Sequence, residues 1–131
     1  MNRKFEFVCN YGVLKKNLLG QYTNKVKEVL PVKTILQFDN EKLIVTLFGI
    51  DRNNGEGKHN EMNTFYYKNI SRIEFLEDLC AMNIYEEEGS IDENGEEYQP
   101  SMINFFIDVE FVDDICQIFE DLANLGYFDL S

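Results

Sequence analysis

The passage Ile103–Leu122, INFFIDVEFVDDICQIFEDL, changes its hydrophobic period half-way, and that change decides the fold class. Ile103, Phe105, Ile107 and Val109 alternate, the period of a strand with one buried face. From Val112 the apolar residues fall at Val112, Ile115, Cys116, Phe119, Leu122 and Ala123, the spacing of a helix with one buried stripe. Asp113 and Asp114 fall in the first turn, where the helix dipole favours carboxylates, and Gly126 follows the last periodic residue as a C′ position. The chain therefore closes with a strand that runs into one amphipathic helix.

Upstream of that passage the pattern is β. Cys80–Tyr85, Arg72–Phe75 and Thr64–Tyr67 read as short strands, the last two joined through Asn69-Ile70-Ser71. Val32–Phe38 and Lys42–Phe48 read as a hairpin turned at Asp39-Asn40. Lys4–Cys9 alternates with Phe5, Phe7 and Cys9 on one face. Two polar loops interrupt the strands, Asp51–Glu61 with a turn at Asn54-Gly55 and Glu86–Pro100 with a turn at Asn94-Gly95. Residues 13–30 carry Leu14, Leu18, Tyr22, Val26 and Leu30 at every fourth position, which predicts a helix stopped before Pro31, with Gly20 against it. The expected fold is mainly β (α+β): a bent antiparallel sheet or small barrel, a C-terminal amphipathic helix, and an extra N-terminal helix. An α+β sheet with helices on one face is the competing architecture.

At 131 residues this is the length of one domain, and 44% apolar composition with only two prolines argues against disorder. No run reaches the roughly 18 apolar residues of a membrane span, and Glu6 breaks the opening MNRKFEFVCN well short of a secretory leader. Cys9, Cys80 and Cys116 are odd in number and widely spaced, which suits structural thiols in a reducing cytoplasm.

Charge is the strongest clue to function. The net charge is −12, yet residues 1–50 hold eight bases and four acids. From Ile73 to Ser131 there are seventeen carboxylates and no Lys or Arg. That sign disfavours nucleic acid and anionic membranes, whose phosphates need Lys and Arg. Lys15, Lys16, Lys25 and Lys27 form a local basic patch that counterweighs the acidic part.

Sites for chemistry are not prominent. Neither acidic loop fits an EF-hand: from Asp51, position 6 is Glu56 and position 12 is Met62, and from Asp92, Gly95 falls at position 4. His59 is the single histidine, so a metal centre or a Cys–His or Ser–His pair has one imidazole to draw on. With twenty-four acids, neighbouring carboxylates carry no specificity, and no phosphate-binding glycine loop is present. The sequence thus names no catalytic, cofactor-binding or metal-ligating residue, and the expected role is non-enzymatic.

The order of elements, with YYKNISRIEF at Tyr66–Phe75 and the strand-to-helix passage above, resembles the pleckstrin-homology-like (PH-like) domains of bacteria. That resemblance implies seven antiparallel strands followed by one helix over Val32–Gly126, with residues 1–31 as a strand and helix extension. Lipid-binding members carry a basic cluster at their first hairpin. Val32–Phe48 offers only Lys33 and Lys42 against Asp39 and Glu41, so the lipid role is not carried over.

The functional expectation is a cytoplasmic interaction domain whose acidic face takes a basic protein. Its partner-binding residues would be Tyr85, Glu86, Glu87, Glu88, Asp92, Glu93, Glu96, Glu97 and Tyr98, aromatics bracketing a negative loop. An immunity-type inhibitor of a basic nuclease toxin uses the same physics. A small ligand or reaction in a sheet cavity lined by Tyr66, Tyr67, Phe75 and Phe105 is the reading from a different class. Oligomeric state is not legible, although an exposed hairpin edge could pair with a second copy.

Overall fold

A computed structural model describes residues 1–52 and 57–130. An antiparallel sheet, a second sheet with one parallel edge strand, and a C-terminal helix enclose one core. The first sheet is a meander of β1 (Arg3–Lys16), β2 (Tyr22–Phe38), β3 (Lys42–Ile50) and β4 (His59–Tyr66). A single 3-10 turn, Tyr67–Asn69, leads into the second sheet of β5 (Ile70–Leu76), β6 (Ala81–Glu86) and β7 (Met102–Phe106). The helix α1 (Val112–Asn124) follows, and the short β8 (Asp129–Leu130) then pairs parallel to β5. The mainly β expectation and the closing helix are both present.

Alternation builds the core. Phe5 and Phe7 of β1, Val32, Leu36 and Phe38 of β2, and Leu43, Val45 and Leu47 of β3 point inward with Phe65 of β4. They meet Ile73, Met82, Ile84, Ile103 and Phe105 of the second sheet. Ile115, Ile118, Phe119 and Leu122 of α1 pack into the same cluster, the stripe that the helical spacing predicts. A run of rings ties helix to sheet: Phe111 contacts Phe5, Phe5 contacts Phe38, Phe38 contacts Phe119, and Phe119 contacts Phe128, with centroids 5.4–6.3 Å apart. Across the open side, the Phe106 backbone N–H donates to the Tyr11 hydroxyl at 2.9 Å, so a side chain bridges β7 to β1.

Thr34 is the exception on the inner face of β2. Its hydroxyl is fully buried and has no hydrogen-bond partner among the described residues. Replacing it with the isosteric valine removes that desolvation cost, so Thr34→Val should raise unfolding free energy by about 1 kcal/mol. A urea titration with an unchanged m-value would measure it, and a destabilised variant would contradict it.

Residues 13–30 are not a helix. They form the distal half of the β1–β2 hairpin, with Leu14 opposite Val26 and Lys16 opposite Tyr22. A spacing of four fits two strand periods as well as about one helical turn, so Leu14, Leu18, Tyr22, Val26 and Leu30 did not discriminate. The turn decides. Gly20 has φ +75°, Gly20 N–H donates to Asn17 O, and the Asn17 side chain accepts from Leu19 N–H and Gln21 N–H. No extra N-terminal helix exists, and β2 runs unbroken through Pro31. The first hairpin is therefore β1–β2, with Lys15, Lys16, Lys25 and Lys27 near its turn. Val32–Phe48, expected as the first hairpin, instead spans the end of β2 and most of β3. The expected turn at Asn54-Gly55 lies outside the described residues.

Candidate protein-interaction face

The acidic loop between β6 and β7 is an ordered structure with a buried root. In β6, Met82, Ile84 and Glu86 share the inward face, so alternation carries the Glu86 carboxylate under the loop. There it accepts hydrogen bonds from the Tyr98 hydroxyl, the Ser101 hydroxyl and the Ser101 N–H. The Asn69 side-chain amide donates to Ile91 O and to the Tyr98 oxygen, anchoring the loop to the turn between the sheets. Burial, with the Glu86 carboxylate alongside, pushes the Tyr98 phenol up to about 12. The tip is a small hairpin. Asp92 N–H donates to Glu96 O, the Asp92 carboxylate accepts from Asn94 N–H and Glu96 N–H, and Gly95 takes φ +78°.

This arrangement separates the nine residues expected to bind a partner. Glu87, Glu88, Glu96 and Glu97 are exposed. Glu86 is buried, Tyr98 is half-buried above it, and Asp92 is committed to its turn. Glu93 pairs with Lys42 at 3.2 Å; hydrogen bonds from Tyr66 and Lys42 hold its carboxyl below the usual range. Tyr85 does not bracket the loop with Tyr98. Alternation places it on the opposite face of β6 from Glu86, where it lies under the Arg72 guanidinium at 4.2 Å.

The carboxylates continue onto α1. Opposite its buried stripe the helix presents Asp113, Asp114, Glu120 and Asp121, with no base in its last turn. Of the seventeen carboxylates beyond Ile73, thirteen are exposed. Among the described residues, Glu93 is the one of these in an ion pair; the other pairs use Glu6 and Glu61.

A cleft of about 420 Å³ lies beside the loop, lined by Glu41, Tyr66, Lys68, Glu93 and Tyr127. Its walls come from four separate segments, so no local pattern marks it. Of the four residues expected to line a sheet cavity, Tyr66 reaches this cleft. Tyr67 and Phe105 are sealed in the core, and Phe75 packs against it.

Comparison with protein-family models, curated proteins and solved structures finds no match in any of the three.

The groups with chemical potential elsewhere are in structural use. His59 Nε2 stands 2.8 Å from Glu61, which also takes a bidentate Arg52 at 2.9 and 3.2 Å. Burial pushes the Glu61 carboxyl up, but Arg52 and His59 outweigh it and hold the group below the usual range. A depressed carboxyl stabilises the fold above its unfolded value, near 4.3, and that contribution disappears as pH falls through the lower folded value. Glu61→Gln should therefore cost about 1 kcal/mol at pH 7, limited by solvent screening, and almost nothing near pH 3. Denaturant melts of both proteins across that range would check the convergence. A gap that stays constant with pH would contradict it. The three thiols are free and half-buried. Burial, then Asp108 and Cys80, push the Cys9 thiol up to about 11, which leaves it protonated and a poor nucleophile at neutral pH. No group of three His, Cys, Asp or Glu that could hold a metal ion occurs among the described residues, and no helix there is long and apolar enough to cross a membrane.

Proposed function

We propose that this chain is a PH-like interaction domain whose acidic half binds a basic protein. The observation that carries the reading is the exposure of thirteen carboxylates beyond Ile73, with Lys42 as the one base paired to them among the described residues. Such a field destabilises the chain that bears it and accelerates encounter with a cationic surface. Seven antiparallel strands arranged as four plus three, then a helix, support the PH-like part of the reading, counted from Arg3 rather than Val32. The partner-facing residues are Glu87, Glu88, Glu96 and Glu97 of the loop. Glu86, Asp92 and Tyr98 shape the loop from behind.

Affinity capture at low salt from the source organism's lysate, with a salt-gradient elution, tests this. The expected result is a stoichiometric basic protein released at a defined salt step and lost with Glu87→Lys, Glu88→Lys, Glu96→Lys and Glu97→Lys combined. If that protein is a nuclease and this chain blocks it, the domain is an immunity-type inhibitor; otherwise it is a scaffold. Capture that the four-fold reversal leaves intact would overturn the reading.

A further inference from the structure

The β1–β2 hairpin extends beyond the body of the protein. β3 pairs with β2 over Lys33–Phe38, so among the described residues the distal part of β2 has no strand on that side. Val13 and Leu30 are the last buried residues, and from there to the turn the side chains are exposed, apart from half-buried Leu14 and Thr23. Tyr22–Val29 alone spans roughly 25 Å at strand rise. Register shifts between Val13 and Lys16 interrupt the inward face of β2 (Leu30, Val32, Thr34, Leu36, Phe38): Val26 lies beside Gly12, on the face opposite Val13 and Leu30, and both Val26 and Tyr22 are exposed. At the tip Leu18 is fully exposed and Leu19 is 82% exposed. Apolar residues concentrated on a projecting, free-edged hairpin mark an interaction site, because natural edge strands otherwise avoid them.

The charge of the arm indicates its partner. Residues 14–29 hold Lys15, Lys16, Lys25 and Lys27 against one acid, Glu28, while the body carries the uncompensated acids described above. The lysines lie along both strands instead of converging on one anion, which fits an extended acidic surface.

We infer that the arm docks on the acidic half of a second copy of this chain. The inference rests on the proposed acidic binding face and names one occupant for it. In a two-fold pair each arm meets the other copy's exposed loop carboxylates, and the interface closes on itself. Main-chain groups along the free edges of the arm add pairing that does not depend on side chains. Both molecules carry −12, so attraction must come from contacts within a Debye length and long-range repulsion opposes it.

Light scattering after size exclusion tests the pair, with circular dichroism to confirm each variant is folded. The wild type at moderate salt should approach twice 15.4 kDa. Reversing the arm (Lys15→Glu, Lys25→Glu, Lys27→Glu) or blunting its tip (Leu18→Ser, Leu19→Ser) should weaken association by at least about tenfold. Reversing the face (Glu87→Lys, Glu88→Lys, Glu96→Lys, Glu97→Lys) should do the same. Mixing the arm-reversed and face-reversed proteins should restore a heterodimer. A monomer at every concentration overturns the inference, as does a dimer unaffected by arm reversal. It is equally overturned if the wild type stays monomeric and sediments with phosphatidylserine vesicles through its arm. A monomeric wild type that still captures a basic protein through Glu87, Glu88, Glu96 and Glu97 would sink the dimer alone and leave the acidic-face reading standing.

Discussion

Phe38→Ala should cost about 3–5 kcal/mol, a large part of the stability expected for a domain of this size. Phe38 is fully buried at the junction of sheet and helix, edge-on to Phe5 with centroids 6.1 Å apart and to Phe119 at 5.4 Å. Removing its ring opens a cavity bounded by elements from both ends of the chain, which cannot collapse without moving α1 off the first sheet. The transfer and cavity contributions therefore add, and the lost edge-to-face contacts contribute further. Phe128, packed on the other side of Phe119, lies one step further along the ring series and should cost less when truncated. Chemical denaturation of both variants would show the order. A Phe38→Ala protein within about 1 kcal/mol of wild type would mean that the ring series does not bind helix to sheet.

Glu86→Ala should cost about 2–3 kcal/mol, even though it removes one negative charge from a strongly acidic protein. The carboxylate accepts three hydrogen bonds, from Tyr98, Ser101 Oγ and Ser101 N–H, and its removal leaves these donors partly enclosed without their acceptor. Glu87→Ala, one residue away and exposed, should instead fall within about 0.5 kcal/mol of wild type. Glu86→Gln keeps an oxygen for part of the set and should lie between them. Paired thermal and denaturant melts test the contrast. Equal effects at positions 86 and 87 would show that the loop has no organised root.

The sequence made these two neighbours look alike, because a charge run hides which of its members faces inward. A signal for Glu86 was available in the alternation of Met82, Ile84 and Glu86, the same rule that placed Ile103 and Phe105 correctly. Applied to Tyr85, that rule also separates it from Tyr98, since a tyrosine one step from Glu86 must point the other way. The helix was legible because its apolar spacing satisfies the helical period and not the strand period. Residues 13–30 were not, because their spacing of four satisfies both and only the Asn17–Gly20 turn breaks the tie. The cleft formed by Glu41, Tyr66, Lys68, Glu93 and Tyr127 had no signature in the sequence. It depends on the β2–β3 turn, the end of β4, the acidic loop and the segment after α1 meeting in space. The projection of the hairpin arm was equally hidden, since it depends on where the pairing of β2 with β3 stops.

In the proposed function the exposed carboxylates of the β6–β7 loop and of α1 steer a basic protein onto this domain. The most direct test of this steering is the association rate of the captured partner, measured by stopped flow over a range of salt concentrations. The wild-type rate should fall steeply with added salt, and reversing Glu87, Glu88, Glu96 and Glu97 to Lys should lower it by about tenfold or more at low salt. A rate independent of salt and unchanged by the reversal would contradict it.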